Sequence, residues 1–136
     1  MDIIMLLQME RIAHFTLAGC NFSASEGLER QCLHTSDHAL QTMIIRMPAY
    51  YTYDFIKDEL AGEISFTVLE GELYIDILMD HEEGSASYSL DVGDVLYLPR
   101  NVYRRTSTGL NVCIYLENMS GGFSRKDRLK LHNSMD

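Results

Sequence analysis

GDVLYLPRNVYRR, Gly93–Arg105, reads as a turn, a short strand, a corner and a second strand. Gly93-Asp94 opens the turn, and Val95, Leu96 and Leu98 supply the apolar content of the first strand. Pro99 closes it, since proline lacks the N–H that a central sheet position must donate. Val102 to Ser107 then resume a β-rich pattern.

Moving outward, the same rhythm recurs. QTMIIRMP, YYTYDFI, EISFTVLEG, ELYIDILMD, SASYSLDVG, DVLYLP, VYRRTS and LNVCIYLENM are short runs rich in Ile, Val, Leu, Tyr and Thr. Turn signals separate them: Pro48, Ala61-Gly62, Glu70-Gly71, Glu82-Glu83-Gly84, Gly93-Asp94, Pro99-Arg-Asn101 and Thr108-Gly109. Eight such strands at this spacing predict an all-β, antiparallel sandwich or barrel. Ile64, Phe66 and Val68 are expected to point into it. Ahead of residue 40 the pattern differs. Residues 1–14 carry an apolar, helix-like stripe of Ile3, Ile4, Leu6, Leu7 and Ile12 and are expected to form a short packed helix or strand. LAGCNFSASEGLER reads as loop, with a short helical turn starting at Ser23. The tail from about residue 124 to 136 is polar.

The 136 residues fit one domain, with a barrel core over about 40–120 and an N-terminal segment over 1–39. At this length roughly two thirds of the unfolded surface is buried on folding, enough for a self-sufficient core. The net charge of −9 argues against nucleic acid as a partner. The charge is uneven: seven of eleven Lys and Arg residues lie from Arg100 onward, while the middle is acidic. That is either a solvated surface with a basic tail or a local anion site built from a few arginines. Cys20, Cys32 and Cys113 show no pairing or zinc spacing, which points to free thiols in a reducing, cytoplasmic setting. The start, with Asp2, Glu10 and Arg11, is neither a leader peptide nor a membrane span, so no membrane association is expected.

Two phrases are more specific together than apart: EISFTVLEGELYIDI, and about twenty residues later SYSLDVGDVLYLPRNVYRR. They resemble the two motifs of the cupin superfamily, whose fold is a small jelly-roll β-barrel. In cupins these motifs bring two histidines, a glutamate and a third histidine onto a divalent metal. ERQCLHTSDHALQTMIIRM, YTYDFIKDELAGEISFTVLEGELYIDILMDHEEG and YLENMSGGFSRKDRL narrow the resemblance, over residues 28 to 129, to the WbuC-like branch. Proteins of that branch are associated with bacterial surface-polysaccharide (O-antigen) gene clusters. Counted back from Glu70-Gly71, the family's first two histidines fall on Lys57 and Glu59, its glutamate on Ile64, and its last histidine on Arg104. None keeps the expected ligand, although Glu63 adjoins Ile64.

Lysine and arginine are cationic donors without a lone pair to offer a metal. The resemblance therefore implies a metal-free cupin, without cofactor, in which Lys57, Glu59 and Arg104 form a charge cluster at the former metal position. Buried cations need partners, and Glu59 is the expected one. The cluster is either a salt bridge with no further role or an anion site. Arg30 and His34 match the family's early arginine and histidine and are expected to border the pocket. Tyr53 matches its T-Y, and Tyr103 adjoins the ligand position. Glu117 matches its late glutamate, but the alternation of Val112, Ile114 and Leu116 turns it away from the core.

Three functions follow. The first is a binding protein for an anionic or sugar-like small molecule, such as a nucleotide sugar. The second is a metal-independent sugar isomerase or epimerase, with Glu59 and Tyr53 as its acid–base pair. The third is a non-catalytic interaction protein. A homodimer is expected by analogy.

Overall fold

A computed structural model describes residues 15–34, 41–56, 63–79, 85–99 and 102–120. The expected helical stripe of residues 1–14 and the polar tail lie outside the described residues. Ten strands are present among the described residues: β1 (Ser23–Ser25), β2 (Leu28–His34), β3 (Gln41–Met47), β4 (Thr52–Ile56), β5 (Glu63–Glu70), β6 (Leu73–Met79), β7 (Ser85–Leu90), β8 (Val95–Leu98), β9 (Val102–Ser107) and β10 (Cys113–Ser120). They form two antiparallel sheets, ordered β1-β2-β3-β10-β5-β8 and β4-β9-β6-β7. All eight strands expected from the sequence are present. No helix among the described residues is long and apolar enough to cross a membrane.

The expected loop over Leu17–Arg30 is corrected: after a 3-10 turn at Leu17–Gly19 it holds β1 and the start of β2. Ser25 pairs with Leu28, leaving Glu26-Gly27 as a two-residue turn with φ of 54° and 82°. Two positive φ values suit the right-handed twist of a tight hairpin, and glycine accepts one of them without strain. A Cβ on Gly27 would also meet the Tyr51 ring at 2.9 Å. The strand was hidden because its inward side carries Leu28, Arg30 and Cys32, and a charged residue in the middle masks the alternation.

Alternation fixes what lies between the sheets. β3 contributes Met43, Ile45 and Met47; β5 contributes Ile64, Phe66 and Val68; β6 contributes Leu73, Ile75 and Ile77; β10 contributes Cys113, Tyr115 and Met119. Ile64, Phe66 and Val68 therefore point inward, as the sequence pattern requires. Phe66 is fully buried, and its removal to alanine would cost about 3–5 kcal/mol by the usual large-to-small penalty.

A second, smaller cluster lies on the other face of the larger sheet. Leu33, Ile44 and Ile114 are buried there, packed with Cys20, Phe22, Leu69 and Leu116. Arg46 covers the Phe22 ring at 4.2 Å and pairs with Glu29 at 2.7 Å. This outer cluster explains a wrong parity. Ile114 and Leu116 are apolar because the segment carrying Phe22 packs over them, so the inward side of β10 is Cys113, Tyr115, Glu117 and Met119.

Candidate functional site

β9 crosses the middle of the smaller sheet, and its inward residues are Val102, Arg104 and Thr106. Arg104 is 1% exposed, the largest side chain among those so deeply buried. Its Nε and Nη2 both donate to Glu117 Oε1, at 3.1 and 2.6 Å. Glu117 is 3% exposed and reaches across from β10 in the opposite sheet. Glu117 thus faces the interior, which corrects the outward orientation expected from its neighbours. The guanidinium also lies 5.5 Å from the Phe66 ring centroid, a cation–π distance.

Around this pair is a small cavity of about 20 Å³, lined by Arg30, Tyr53, Ile56, Thr106 and Tyr115 among others. That is room for about one water molecule. Burial pushes the Tyr115 phenol up, Glu117 adds to the shift, and Thr106 and Arg104 oppose it. Tyr115 is therefore a hydrogen-bonding group at neutral pH and not a phenolate. Tyr53 is half-buried, and its phenol is also raised, by burial first and then by Glu26, with Arg30 opposing.

A bulge in β4 places Tyr53 and Ile56 on one side. Tyr53 pairs with Thr106 and Ile56 with Arg104, so Asp54 and Phe55 together face Arg105. The extra residue reverses the strand's phase. Outward-facing Arg105 then bonds Asp76 through Nε and Nη2 at 3.1 and 2.8 Å and lies 4.7 Å from the Phe55 ring centroid.

Arg30 enters from β2. It is 7% exposed; its Nη2 donates to Ser25 Oγ at 3.1 Å and lies 3.8 Å from Glu26 Oε2. Its Nε is buried with no hydrogen-bond partner among the described residues. Arg30 also lines a groove of about 370 Å³ along β1 and β2, with Asn21, Ser23, Ser25, Gln31, Cys32 and Met43.

The structure thus gathers Arg104, Glu117, Arg30 and Tyr53 around one interior. Lys57 and Glu59 lie outside the described residues; among the described residues the carboxylate on Arg104 is Glu117. His34 ends β2, with its side chain outside the described residues. Tyr103 does not line the cavity; it stands on the outward side of β9, 37% exposed, because the residue next to an inward one must face out. Sequence reading missed Thr106, Tyr115, Ser25 and Glu26. The alternation V-Y-R-R-T-S, phased on Arg104, would have found Thr106, since residue 106 shares its face.

A divalent metal, which many proteins of this architecture hold, does not fit the described interior. Its cations offer no lone pair, and its one carboxylate, Glu117, is engaged by Arg104. No group of three or more His, Cys, Asp or Glu among the described residues is placed to hold a metal ion.

No protein-family model matches the chain, and no curated protein matches it in sequence. Solved structures do match it in shape. The cupin domain of Drosophila melanogaster CENP-C is similar with a TM-score of 0.71 and 17% identity, over 85% of this chain and 80% of that one. Drosophila melanogaster CENP-C bound to CAL1 gives 0.65 and 18%, over 86% and 94%. KdgF from Halomonas sp. gives 0.65 and 15%, over 85% and 99%. These likenesses, with the two antiparallel sheets, show that the chain has the cupin jelly-roll fold.

Proposed function

We propose that this cupin-fold protein binds a small anionic molecule without a metal. The reading rests on the cavity lining, which among the described residues carries two buried cations, Arg30 and Arg104, and one carboxylate, Glu117, an excess of positive charge that Glu26 offsets only from 3.8 Å. In a low-dielectric interior, that excess favours an anion over a cation. The cavity of about 20 Å³ does not admit a nucleotide sugar, so the proposed ligand is a smaller anion, reached from the Arg30 side. A place in surface-polysaccharide metabolism is part of the proposal through the WbuC-like sequence resemblance, and a cytoplasmic location through three cysteines that show no pairing pattern.

The test is a thermal-shift series with carboxylates and phosphate, together with elemental analysis of the purified protein. A ligand that binds only the folded state raises Tm as its concentration exceeds Kd. Stabilisation by an anion at fixed ionic strength, with no stoichiometric transition metal, is the expected result. No shift with any anion, or one bound metal ion per chain, overturns the reading.

A second reading, a non-catalytic interaction protein, draws on a different observation. Val95 and Tyr97 on β8 are 47% and 72% exposed, at an edge that pairs only with β5 among the described residues. The CENP-C structure bound to CAL1 shows a protein of similar fold in complex with another protein.

A further inference from the structure

We infer that the groove along β1 and β2 is a carboxylate-binding site anchored by Arg30. The inference rests on the anion-binding reading above and names the ligand class and the place.

Three arginines can be compared. Arg104 presents its Nε and Nη2 to Glu117, and Arg105 presents the same two atoms to Asp76. That edge of a guanidinium is a two-pronged donor matched to a carboxylate. On Arg30 the same edge is incomplete. Nη2 donates to the Ser25 hydroxyl, the Tyr53 phenol also interacts with the guanidinium, Glu26 stands off at 3.8 Å, and Nε is buried without a hydrogen-bond partner among the described residues. A buried donor of a charged group left unsatisfied is costly, and an incoming carboxylate removes the cost. It would displace Ser25 Oγ from Nη2, and the side chain would have to turn its buried Nε toward the groove to complete the two-pronged contact.

Space selects this arginine over Arg104. The cavity beside Arg104 is about 20 Å³, whereas the groove beside Arg30 is about 370 Å³, the lower end of the range for small-molecule sites. Among the described residues the groove wall carries the Arg30 cation and no carboxylate, with Asn21, Ser23 and Ser25 as neutral hydrogen-bonding groups. A small polar carboxylate matches that lining. Glu26, just outside it, acts as a competing carboxylate near Nη2.

The experiment titrates the ¹⁵N-labelled full chain with acetate, glycolate, succinate and inorganic phosphate at constant ionic strength, following the arginine Nε–Hε resonances. The Arg30 signal, assigned by its absence in Arg30→Lys, should shift and saturate with a carboxylate. Arg30→Lys, checked for an intact fold by its melt, should weaken binding at least tenfold. Glu26→Gln should tighten it several-fold by removing the competitor. A carboxylate that stabilises the protein without moving the Arg30 signal overturns the site but leaves the anion-binding reading standing. Equal response to phosphate overturns the ligand class. Binding by none of the four overturns both. Glu26→Gln weakening the affinity while the Arg30 signal responds overturns the edge assignment.

Discussion

Arg104 and Glu117 form an ion pair whose two members come from opposite sheets and are both almost fully buried. Taking either charge out of water is expensive, and their contact offsets the cost only while both are present. Glu117→Ala should therefore destabilise by about 3–5 kcal/mol, the typical penalty for orphaning a buried charge. The double variant Arg104→Met, Glu117→Leu should recover most of that loss, and chemical denaturation of the singles and the double measures the coupling. A double variant as unstable as the sum of the singles would show that the pair's packing, not its charge balance, sets the cost. Cys113 illustrates the other fate of a buried titratable group. Burial, with Glu70 adding to it, pushes its thiol up to about 12. The reactive species is the thiolate, so alkylation of Cys113 at pH 8 should wait for unfolding. Mass spectrometry of native and denaturant-treated samples reads this directly; prompt native labelling would contradict the burial argument.

At the level of strands and turns, the connection from β5 to β6, which passes from one sheet to the other, turns on Gly71. Its φ is +78°, and a Cβ there would fall 2.2 Å from the Val112 carbonyl oxygen. Main chain cannot retreat as a flexible side-chain tip can. Gly71→Ala should thus cost more than the roughly 1–3 kcal/mol of a strained backbone conformation. A midpoint loss in urea melts smaller than that of Gly93→Ala, where φ is +90° but a Cβ has open space around it, would refute the clash. These turns show why so much of the fold was legible. Glu70-Gly71, Gly93-Asp94 and Pro99 mark strand ends by backbone chemistry that needs no tertiary context. What stayed hidden depended on context. The β1–β2 hairpin carries Arg30 on its inward side, so its alternation does not read as apolar and polar. The bulge at Asp54-Phe55 changes the phase of β4 without a glycine to announce it. The outer cluster around Ile114 made the solvent side of β10 look like its core side, which turned Glu117 the wrong way and concealed the partner of Arg104. Of the cavity lining, Arg30, Tyr53, Arg104 and Glu117 were readable as residues, whereas Thr106, Tyr115 and the pairing of Arg104 with Glu117 were not.

The molecule as a whole presents an edge that its own described strands do not cover. β8 pairs with β5 on one side alone among the described residues, and its Val95 and Tyr97 stand out at 47% and 72% exposure. Val92, 63% exposed in the preceding turn, extends the apolar strip. Unpaired edges with apolar side chains are templates for strand pairing, and a two-fold axis at such an edge makes the contact self-complementary. Opposing it is the net charge of −9 on each chain. Like charges across a small interface repel, and salt screens that repulsion. We therefore predict a homodimer that strengthens from low to moderate ionic strength. Light scattering on a size-exclusion column should give twice the 15.6 kDa of the chain at moderate salt, drifting toward one chain at low salt. Tyr97→Lys adds a charge at the centre of the strip and should yield a folded monomer whose melt falls only by the mass-action stabilisation that the dimer supplied, since the exposed ring contributes nothing to the core. A wild-type monomer at all salts would mean that the edge is solvated as it stands. A dimer indifferent to Tyr97→Lys would place the contact on another face.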